Sequence, residues 1–168
     1  MLFRSNPDLI YYVNSLPNSG GDIRSNHYKI RPGGTAINCA ENINNWSLKV
    51  SVAGNSLADD ALGNYLIKYL DNLKINHDLV DKNSKITPSC SIFVEESGER
   101  TIVSSGYKDS LWSNLNSLNG FDSLLIDRYS VSFVREHLKE LKIKNNLFLV
   151  QAGYEEEIDY KIDRKSTR

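Results

Sequence analysis

The segment Arg31–Trp46, RPGGTAINCAENINNW, sets two adjacent glycines directly before a run of helical periodicity. Small and apolar residues recur every three to four positions, which predicts a helix over residues 35–46 with one buried face. Glycines at a helix entrance let the backbone turn sharply and let a ligand approach main-chain N–H groups. Asn38 would offer amide donors and an acceptor to vicinal hydroxyls. The predicted buried face comprises Ala36, Cys39, Ala40, Ile43 and Trp46.

These residues alone allow two interpretations. In one, Gly33 and Gly34 form the entrance to a ligand-binding helix and Asn38 contacts the ligand. In the other, Pro32-Gly33-Gly34 is an ordinary loop and Asn38 is a solvated helix residue.

The remainder of the chain alternates between strand-like and helix-like periods, which predicts an α/β fold with a parallel, doubly wound sheet and helices on both faces. A second amphipathic helix should follow the capping stretch NSLADD (55–60). The other predicted elements are strands at 8–13, 49–54, 123–127 and 147–151, and helices at about 110–118 and 132–142.

Extended runs interrupt this rhythm in the middle of the chain. Residues 90–96 and 100–105 are joined by a turn in which Gly98 supplies a positive φ, which predicts a hairpin. We expect a small projecting β-sheet, or lid, built from residues around 14–31 and 78–105.

Composition excludes several function classes. Of the 168 residues 40% are hydrophobic, and 20 basic against 21 acidic residues leave a net charge of −1. The balanced charge indicates neither a nucleic-acid nor a membrane-surface partner. No apolar run approaches the roughly 18 residues of a membrane helix. Cys39 and Cys90 are expected to be buried, reduced thiols, and the protein is expected in the cytoplasm.

Four motifs in order resemble the PfkB or ribokinase family of carbohydrate kinases. The Gly33-Gly34 pair with Asn38 is similar to the family's glycine-rich signature, and NPD (6–8) to its Asn-x-Asp. SVAGNSLADDALG (51–63) is similar to a third family segment, although Ala58 replaces a usual glycine. TPSCSIFVEESGERTIV (87–103) resembles the strands of the substrate lid. The resemblance implies a ribokinase-like fold for residues 1–168, as the N-terminal part of one such domain.

The resemblance also implies roles for single residues. Asp8 and Asn38 would bind sugar hydroxyls, while Gly33 and Gly34 would let the lid close. The full-length parent would use ATP and Mg²⁺, act on a sugar or sugar-like small molecule, and pair as a homodimer through its lid strands. For Asp8 the alternative is a turn carboxylate at a strand end. Arg100 is expected to be a solvated turn residue rather than a phosphate ligand, and Asp127 with Arg128 forms either a ligand site or an ion pair.

Two signatures of the family are absent from the sequence. Neither the Gly-Ala-Gly-Asp segment that carries the catalytic Asp nor the Asn-x-x-Glu motif occurs in these 168 residues. We therefore assign no catalytic residue and no metal ligand, and expect a fragment that is inactive by itself and binds ATP poorly. Residues 1–5 and 163–168 resemble non-native ends. The alternatives are a nucleoside kinase fragment or a non-catalytic sugar- or nucleoside-binding module.

Overall fold

The structure is a computed structural model that describes residues 2–109, 118–127, 129–137, 139–141 and 147–151. For residues 2, 3, 109 and 147–151 it describes the backbone alone. The helix predicted near 110–118 therefore lies almost wholly outside the described residues, and the helix predicted at 132–142 is observed over Val131–Glu136.

The main sheet has five strands, and all its pairings are parallel, as the alternating pattern predicts. The order is β5-β4-β1-β8-β9, so the short first strand lies at the centre of the sheet. The strands are β1 (Leu2–Phe3), β4 (Ser51–Gly54), β5 (Asn76–Leu79), β8 (Ser123–Asp127) and β9 (Leu147–Gln151).

Helices cover both faces of this sheet. They are α1 (Thr35–Asn45), α2 (Ala61–Asn72) and α3 (Val131–Glu136). Val52 of β4 packs in a buried cluster with α1 and α2, whereas its neighbour Ala53 packs in the cluster that contains Val134 of α3. Successive strand residues point to opposite faces, so the two clusters lie on opposite sides of the sheet. No helix among the described residues is long and apolar enough to cross a membrane.

A second sheet of four strands, which we call the lid sheet, has the order β3-β2-β6-β7. Its outer pairs are antiparallel hairpins, and β2 pairs parallel to β6 in the middle. The hairpin turn between the last two strands contains Gly98 at φ 88, as predicted. The strands are β2 (Asn6–Val13), β3 (His27–Gly33), β6 (Ser89–Glu95) and β7 (Arg100–Ser105).

The lid sheet differs from the sequence expectation in its membership. The strand expected at 8–13 begins at Asn6 and belongs to the lid sheet, whereas residues 14–26 connect it to β3 without strand structure. The extended run near residue 78 is β5 of the main sheet. Local periodicity predicts that a segment is extended, but the sheet that it joins depends on partners distant in sequence.

Helix α1 confirms the predicted element but not its whole buried face. Ala36 and Ala40 are buried as expected, and Ile37 takes a fully buried position that the pattern missed. Trp46 was expected on this face and is instead 71% exposed. The helix ends at Asn45, and Ser47 adopts a left-handed φ of 61, so the chain turns away and leaves the Trp46 ring in solvent.

The N-terminus of α2 is tied to the start of the lid hairpin by one carboxylate. Asp60 Oδ1 accepts hydrogen bonds from the Gly63 N–H and the Thr87 hydroxyl, each at 2.7 Å. Its Oδ2 accepts from the Thr87 N–H at 2.9 Å. Burial raises the pKa of Asp60, but the hydrogen bonds from Gly63, Thr87 and Leu62 outweigh it and the pKa is lowered. Asp60 thus caps the helix and satisfies a threonine that is 1% exposed.

We predict that Asp60→Ala lowers the free energy of unfolding by about 2–4 kcal/mol at pH 7, the sum of a lost cap and an unsatisfied buried donor. Because the pKa of Asp60 is lowered in the folded state, its charged form stabilises the fold at pH values above the unfolded-state pKa of 3.8. This stabilisation is lost as the pH falls through the folded-state pKa. The difference from wild type should therefore shrink in acid, as measured by urea unfolding at pH 7 and pH 3. Asp59→Ala, which removes one exposed contact to Asn64, is the matched control. Equal effects of the two substitutions would contradict this role.

Candidate functional site

The chain passes from the main sheet to the lid sheet at Arg4 and Ser5, between β1 and β2. The Arg4 N–H donates to Asp127 Oδ2 at 3.0 Å, and the Ser5 N–H donates to Asn55 Oδ1 at 2.7 Å. Asn55 Nδ2 donates back to the Ser5 carbonyl at 3.0 Å. Side chains from the ends of β8 and β4 therefore replace the strand partners that the backbone loses at this crossing.

Asp8 lies three residues beyond this crossing, on β2, and its carboxyl group fills the space beside Gly33. A Cβ at Gly33 would overlap all three atoms of that carboxyl group. Asn6 Nδ2 donates to Asp8 Oδ1 at 2.6 Å. Asp8 Oδ2 makes no hydrogen bond within the described part of the chain. The site thus holds a half-buried carboxylate with accepting capacity to spare.

Burial raises the pKa of Asp8, and the hydrogen bond from Asn6 partly opposes that rise. A carboxylate that has lost water and gained only one donor is destabilised in its charged form. Hydroxyl groups of a ligand would supply the donors that this carboxylate lacks.

Gly34 serves a different purpose from its neighbour. It is the N-cap of α1 with φ 81 and ψ 149, a conformation open almost only to glycine. A Cβ here would overlap the backbone carbonyl of Arg4 and lie 2.9 Å from Asn6 Oδ1. The Ala36 N–H donates to that same Arg4 carbonyl at 3.2 Å. Gly34 therefore lets the first turn of α1 pack directly against the crossing between the sheets.

Asn38 follows on the exposed side of α1, one turn beyond Gly34. Its backbone N–H donates to the Gly34 carbonyl at 3.3 Å, and the Asn38 carbonyl accepts from Asn42 Nδ2 at 2.7 Å. The Asn38 side-chain amide makes no hydrogen bond to any described residue, and none joins it to Asp8. The structure therefore brings Asp8, Gly33 and Gly34 into one cluster and leaves the Asn38 amide open near the same helix entrance.

The inner face of the lid adds two side chains to this region. Cys90 is the cross-strand neighbour of Asp8, so both project from the same face of the lid sheet. The Tyr107 hydroxyl lies 3.9 Å from Cys90 Sγ. Burial is the main cause that raises the pKa of Tyr107; Cys90 and Asp8 add to the rise, and the Arg4 guanidinium opposes it. Tyr107 therefore stays a neutral hydroxyl, and the charges of Asp8 and Arg4 shift its pKa in opposite directions.

The guanidinium of Arg4 lies close to two aromatic rings. Its Cζ lies 4.3 Å from the centroid of the Tyr107 ring and 3.6 Å from that of Tyr129. Sequence reasoning missed Arg4, Tyr107 and Tyr129 because they come from three segments far apart in the chain. The sole hint in the sequence is that Arg4 lies two residues before the Asn-x-Asp motif.

The remaining candidates take simpler positions. Asp127 is 1% exposed and accepts from the Arg4 N–H and from both the N–H and the hydroxyl of Ser130, so it is structural in this conformation. Arg128, its expected ion-pair partner, lies outside the described residues. Arg100 is exposed on the lid turn. Cys39 and Cys90 are free and half-buried. In the described ranges no group of three or more His, Cys, Asp or Glu could hold a metal ion.

Comparisons with known proteins fit this geometry. A family model described as pfkB family carbohydrate kinase matches residues 4–153. A comparison with curated proteins finds none that matches the chain. Among solved structures, ribokinase from Cryptococcus neoformans var. grubii serotype A, in complex with ADP, is similar with a TM-score of 0.66 and 21% identity over 82% of this chain.

Two further structures are similar over 98% of the chain at 18% identity. A nucleoside kinase of Methanocaldococcus jannaschii, described as an archaeal member of the ribokinase family, has a TM-score of 0.72. Ribokinase from Thermotoga maritima has a TM-score of 0.75. The chain covers 42%, 56% and 55% of the three proteins, so it spans about half of their length. At these identities the similarity shows the ribokinase-like fold, as the resemblance of the motifs implied.

The two glycines should respond differently to alanine. Gly33→Ala meets the end of a flexible side chain, so we predict a folded protein whose Asp8 carboxyl group is displaced, with the free energy of unfolding lowered by less than about 1 kcal/mol. Gly34→Ala meets backbone at a positive φ and should cost about 2–4 kcal/mol. Urea unfolding of both variants checks the order, and Gly98→Ala, which has open space but φ 88, controls for the conformational cost alone. A larger loss for Gly33→Ala than for Gly34→Ala would contradict it.

Proposed function

Because the chain belongs to the pfkB family of carbohydrate kinases, we propose that it forms the sugar-binding part of an enzyme that transfers a phosphoryl group from ATP to a sugar hydroxyl. The observation that carries this proposal is the Asp8 carboxylate in the space beside Gly33, with Asn6 as its one donor among the described residues. A half-buried, under-satisfied carboxylate at a helix entrance suits a hydroxyl-rich ligand.

In this proposal Asp8 accepts hydrogen bonds from sugar hydroxyls, and the Asn38 amide binds a neighbouring hydroxyl. Gly33 and Gly34 lie where the lid sheet joins α1, and they would absorb the rotation that closes the lid over the sugar. Closure excludes water and strengthens the polar contacts. The half-exposed Asn38 side of α1 and the inner face of the lid would then enclose the ligand.

ATP as phosphoryl donor is part of the proposal, supported by the ADP in the similar Cryptococcus neoformans ribokinase. The described residues supply no cluster of three or more ligands for Mg²⁺, and the sequence lacks the family's Gly-Ala-Gly-Asp segment. We therefore propose that this chain binds the sugar and does not transfer the phosphoryl group by itself. The free half-buried thiols support a reducing, cytoplasmic location.

A nucleoside as the ligand is the second candidate, favoured by the similarity to the Methanocaldococcus jannaschii nucleoside kinase. A nucleoside presents ribose hydroxyls to Asp8 as a free sugar does, so the site chemistry alone fits both. A binding module without a kinase partner would share the same contacts.

The proposal predicts that the 168-residue chain binds a neutral sugar, a sugar acid, a sugar phosphate or a nucleoside, and that Asp8→Asn weakens this binding about tenfold or more, as expected for loss of a charge-assisted hydrogen bond. A raised folded-state pKa means that Asp8 favours folding when protonated and that this benefit is lost as the pH rises through the folded value. At pH 7 the Asp8→Asn variant should therefore be at least as stable as wild type. Calorimetric titration and thermal unfolding measure the two effects.

Asp22→Asn, at an exposed position in the connection between β2 and β3, is the matched control and should change neither quantity. Sugar binding that survives Asp8→Asn unchanged would argue against the proposed site. Absence of binding to every ligand of the panel would remove the proposed function of this chain.

We also propose that two copies pair through the outer face of the lid sheet. That face carries Leu9, Tyr11, Tyr28, Phe93 and Val103, and Tyr11 stacks with both Tyr28 and Phe93. Tyr28 is 64% and Val103 54% exposed, on the two edge strands of the sheet. An apolar face with open edges favours association with a second copy.

The pairing predicts a dimer whose dissociation constant rises at least tenfold on Val103→Lys, because a charge would enter its apolar face. Ser104→Lys, on the same strand but the opposite face, is the control and should leave the dimer intact. Sedimentation velocity over a concentration series measures both. A chain that sediments as a monomer at every concentration would contradict the pairing.

A further inference from the structure

The guanidinium of Arg4 lies close to two tyrosine rings. Tyr107 lies over it at 4.3 Å and Tyr129 at 3.6 Å, measured from Cζ to the ring centroids. A guanidinium is planar and its five N–H donors point outward in that plane. Stacked rings hold such a group by cation–π attraction without using any of these donors. Within the described ranges, the Arg4 side chain makes neither a hydrogen bond nor an ion pair.

Arg4 belongs to residues 1–5, whose sequence resembles a non-native end, yet its backbone is held on both sides by the fold. Its N–H is bound by the Asp127 carboxylate, which is 1% exposed, and its carbonyl accepts from the first turn of α1. The backbone is thus anchored on two sides while the head group is oriented by the rings. This arrangement orients the guanidinium before any ligand arrives, which lowers the entropic cost of binding.

Arg4 also lies in the same cluster as the proposed sugar contacts. Its carbonyl abuts Gly34, and Asn6, two residues along, holds the Asp8 carboxyl group. No ion pair joins Arg4 to Asp8 in the described part of the structure, although the charges of both residues shift the pKa of the Tyr107 hydroxyl. The cluster therefore presents a carboxylate for hydroxyls and, separately, a cation with open donors.

We infer that Arg4 is a specificity-determining residue that binds an anionic group of the substrate, a carboxylate or a phosphate, through the edge of its guanidinium. The fork of donors matches the two oxygens of either group, and charge-assisted bidentate pairs are both strong and directional. This inference rests on the proposed sugar site and narrows its ligand to a sugar acid or a sugar phosphate. A neutral sugar would leave the guanidinium donors to water and gain nothing from them.

A purely structural role for Arg4 as a latch between lid and base makes a different prediction. A latch would stabilise the closed arrangement equally for every ligand, whereas an anion contact discriminates between charged and neutral ligands of similar shape. The ratio of two affinities therefore separates the roles, and thermal unfolding reports on the latch alone.

The test is calorimetric titration of the 168-residue chain with matched ligands. D-Gluconate is compared with D-glucitol, and D-fructose 6-phosphate with D-fructose, so that each pair isolates the anionic group. We expect one of the anionic ligands to bind about tenfold or more tightly than its neutral partner, as for a charge-assisted contact. Which pair shows the preference distinguishes a carboxylate from a phosphate. The preference should also weaken with rising ionic strength.

Two variants complete the test. Arg4→Gln should abolish the preference and leave binding of the neutral partner within about twofold, while Arg4→Lys, which keeps the charge but not the fork, should retain a part of it. Arg100→Gln is the matched control, with the same loss of charge on the exposed lid turn.

Equal affinity for charged and neutral partners, or a preference that survives Arg4→Gln, would overturn the inference while the sugar site stands. Loss of the preference in Arg100→Gln alone would overturn it as well. If no ligand of either pair binds, both this inference and the sugar site on which it rests are overturned. If the Arg4→Gln variant does not fold, the affinity ratios of Arg4→Lys and of the wild type for the anionic and neutral ligands test the inference.

Discussion

The contact between the Arg4 carbonyl and Gly34 is the constraint on which this molecule depends. It is closer than any side chain would allow, and it joins the strand that leaves the main sheet to the helix that follows the lid. The chain enters and leaves the lid sheet side by side at this point. A second pair of connections repeats the arrangement, because a Cβ at Gly106, which has φ 80, would lie 2.9 Å from the Cα of Pro88. Each pair of crossings is thus built on one glycine with positive φ.

Such close crossings leave backbone groups without sheet partners, and buried side chains supply them. Asn55 binds both the N–H and the carbonyl of Ser5, and Asp127 binds the N–H of Arg4. Asp60 does the same for Thr87 at the other pair of crossings. Buried polar groups are tolerated only when satisfied, so these three side chains allow an irregular junction inside a compact core. The lid is therefore attached by polar contacts that are directional, while each sheet keeps its own pairing.

The sequence predicts the elements of this fold better than their partners. The helices at 35–45 and 61–72, the hairpin turn at Gly98 and the parallel order follow from local periods and capping residues. Trp46 was wrongly predicted to be buried, because the helix ends before it and Ser47 adopts a left-handed conformation that directs the chain away. Two features depend on residues about 100 positions apart, which no local pattern encodes. One is the pairing of residues 6–13 within the lid sheet, and the other is the contact of Arg4 with two tyrosine rings.

Within the candidate site, the glycine pair divides two tasks that the sequence presents as one. Gly34 is needed by the fold, because the backbone of Arg4 lies where a side chain at Gly34 would be. Gly33 is needed by the Asp8 carboxyl group, which occupies the space that a side chain at Gly33 would fill. Burial raises the pKa of Asp8, so the fold holds a carboxylate in a place where its charge is disfavoured. A position that weakens the folded state and offers open acceptors is expected where a ligand supplies the missing donors, because a purely structural carboxylate is found satisfied, as Asp127 is. The contrast between these two aspartates, one saturated and one under-satisfied within the same cluster, separates the framework of the site from the surface that it presents to a ligand.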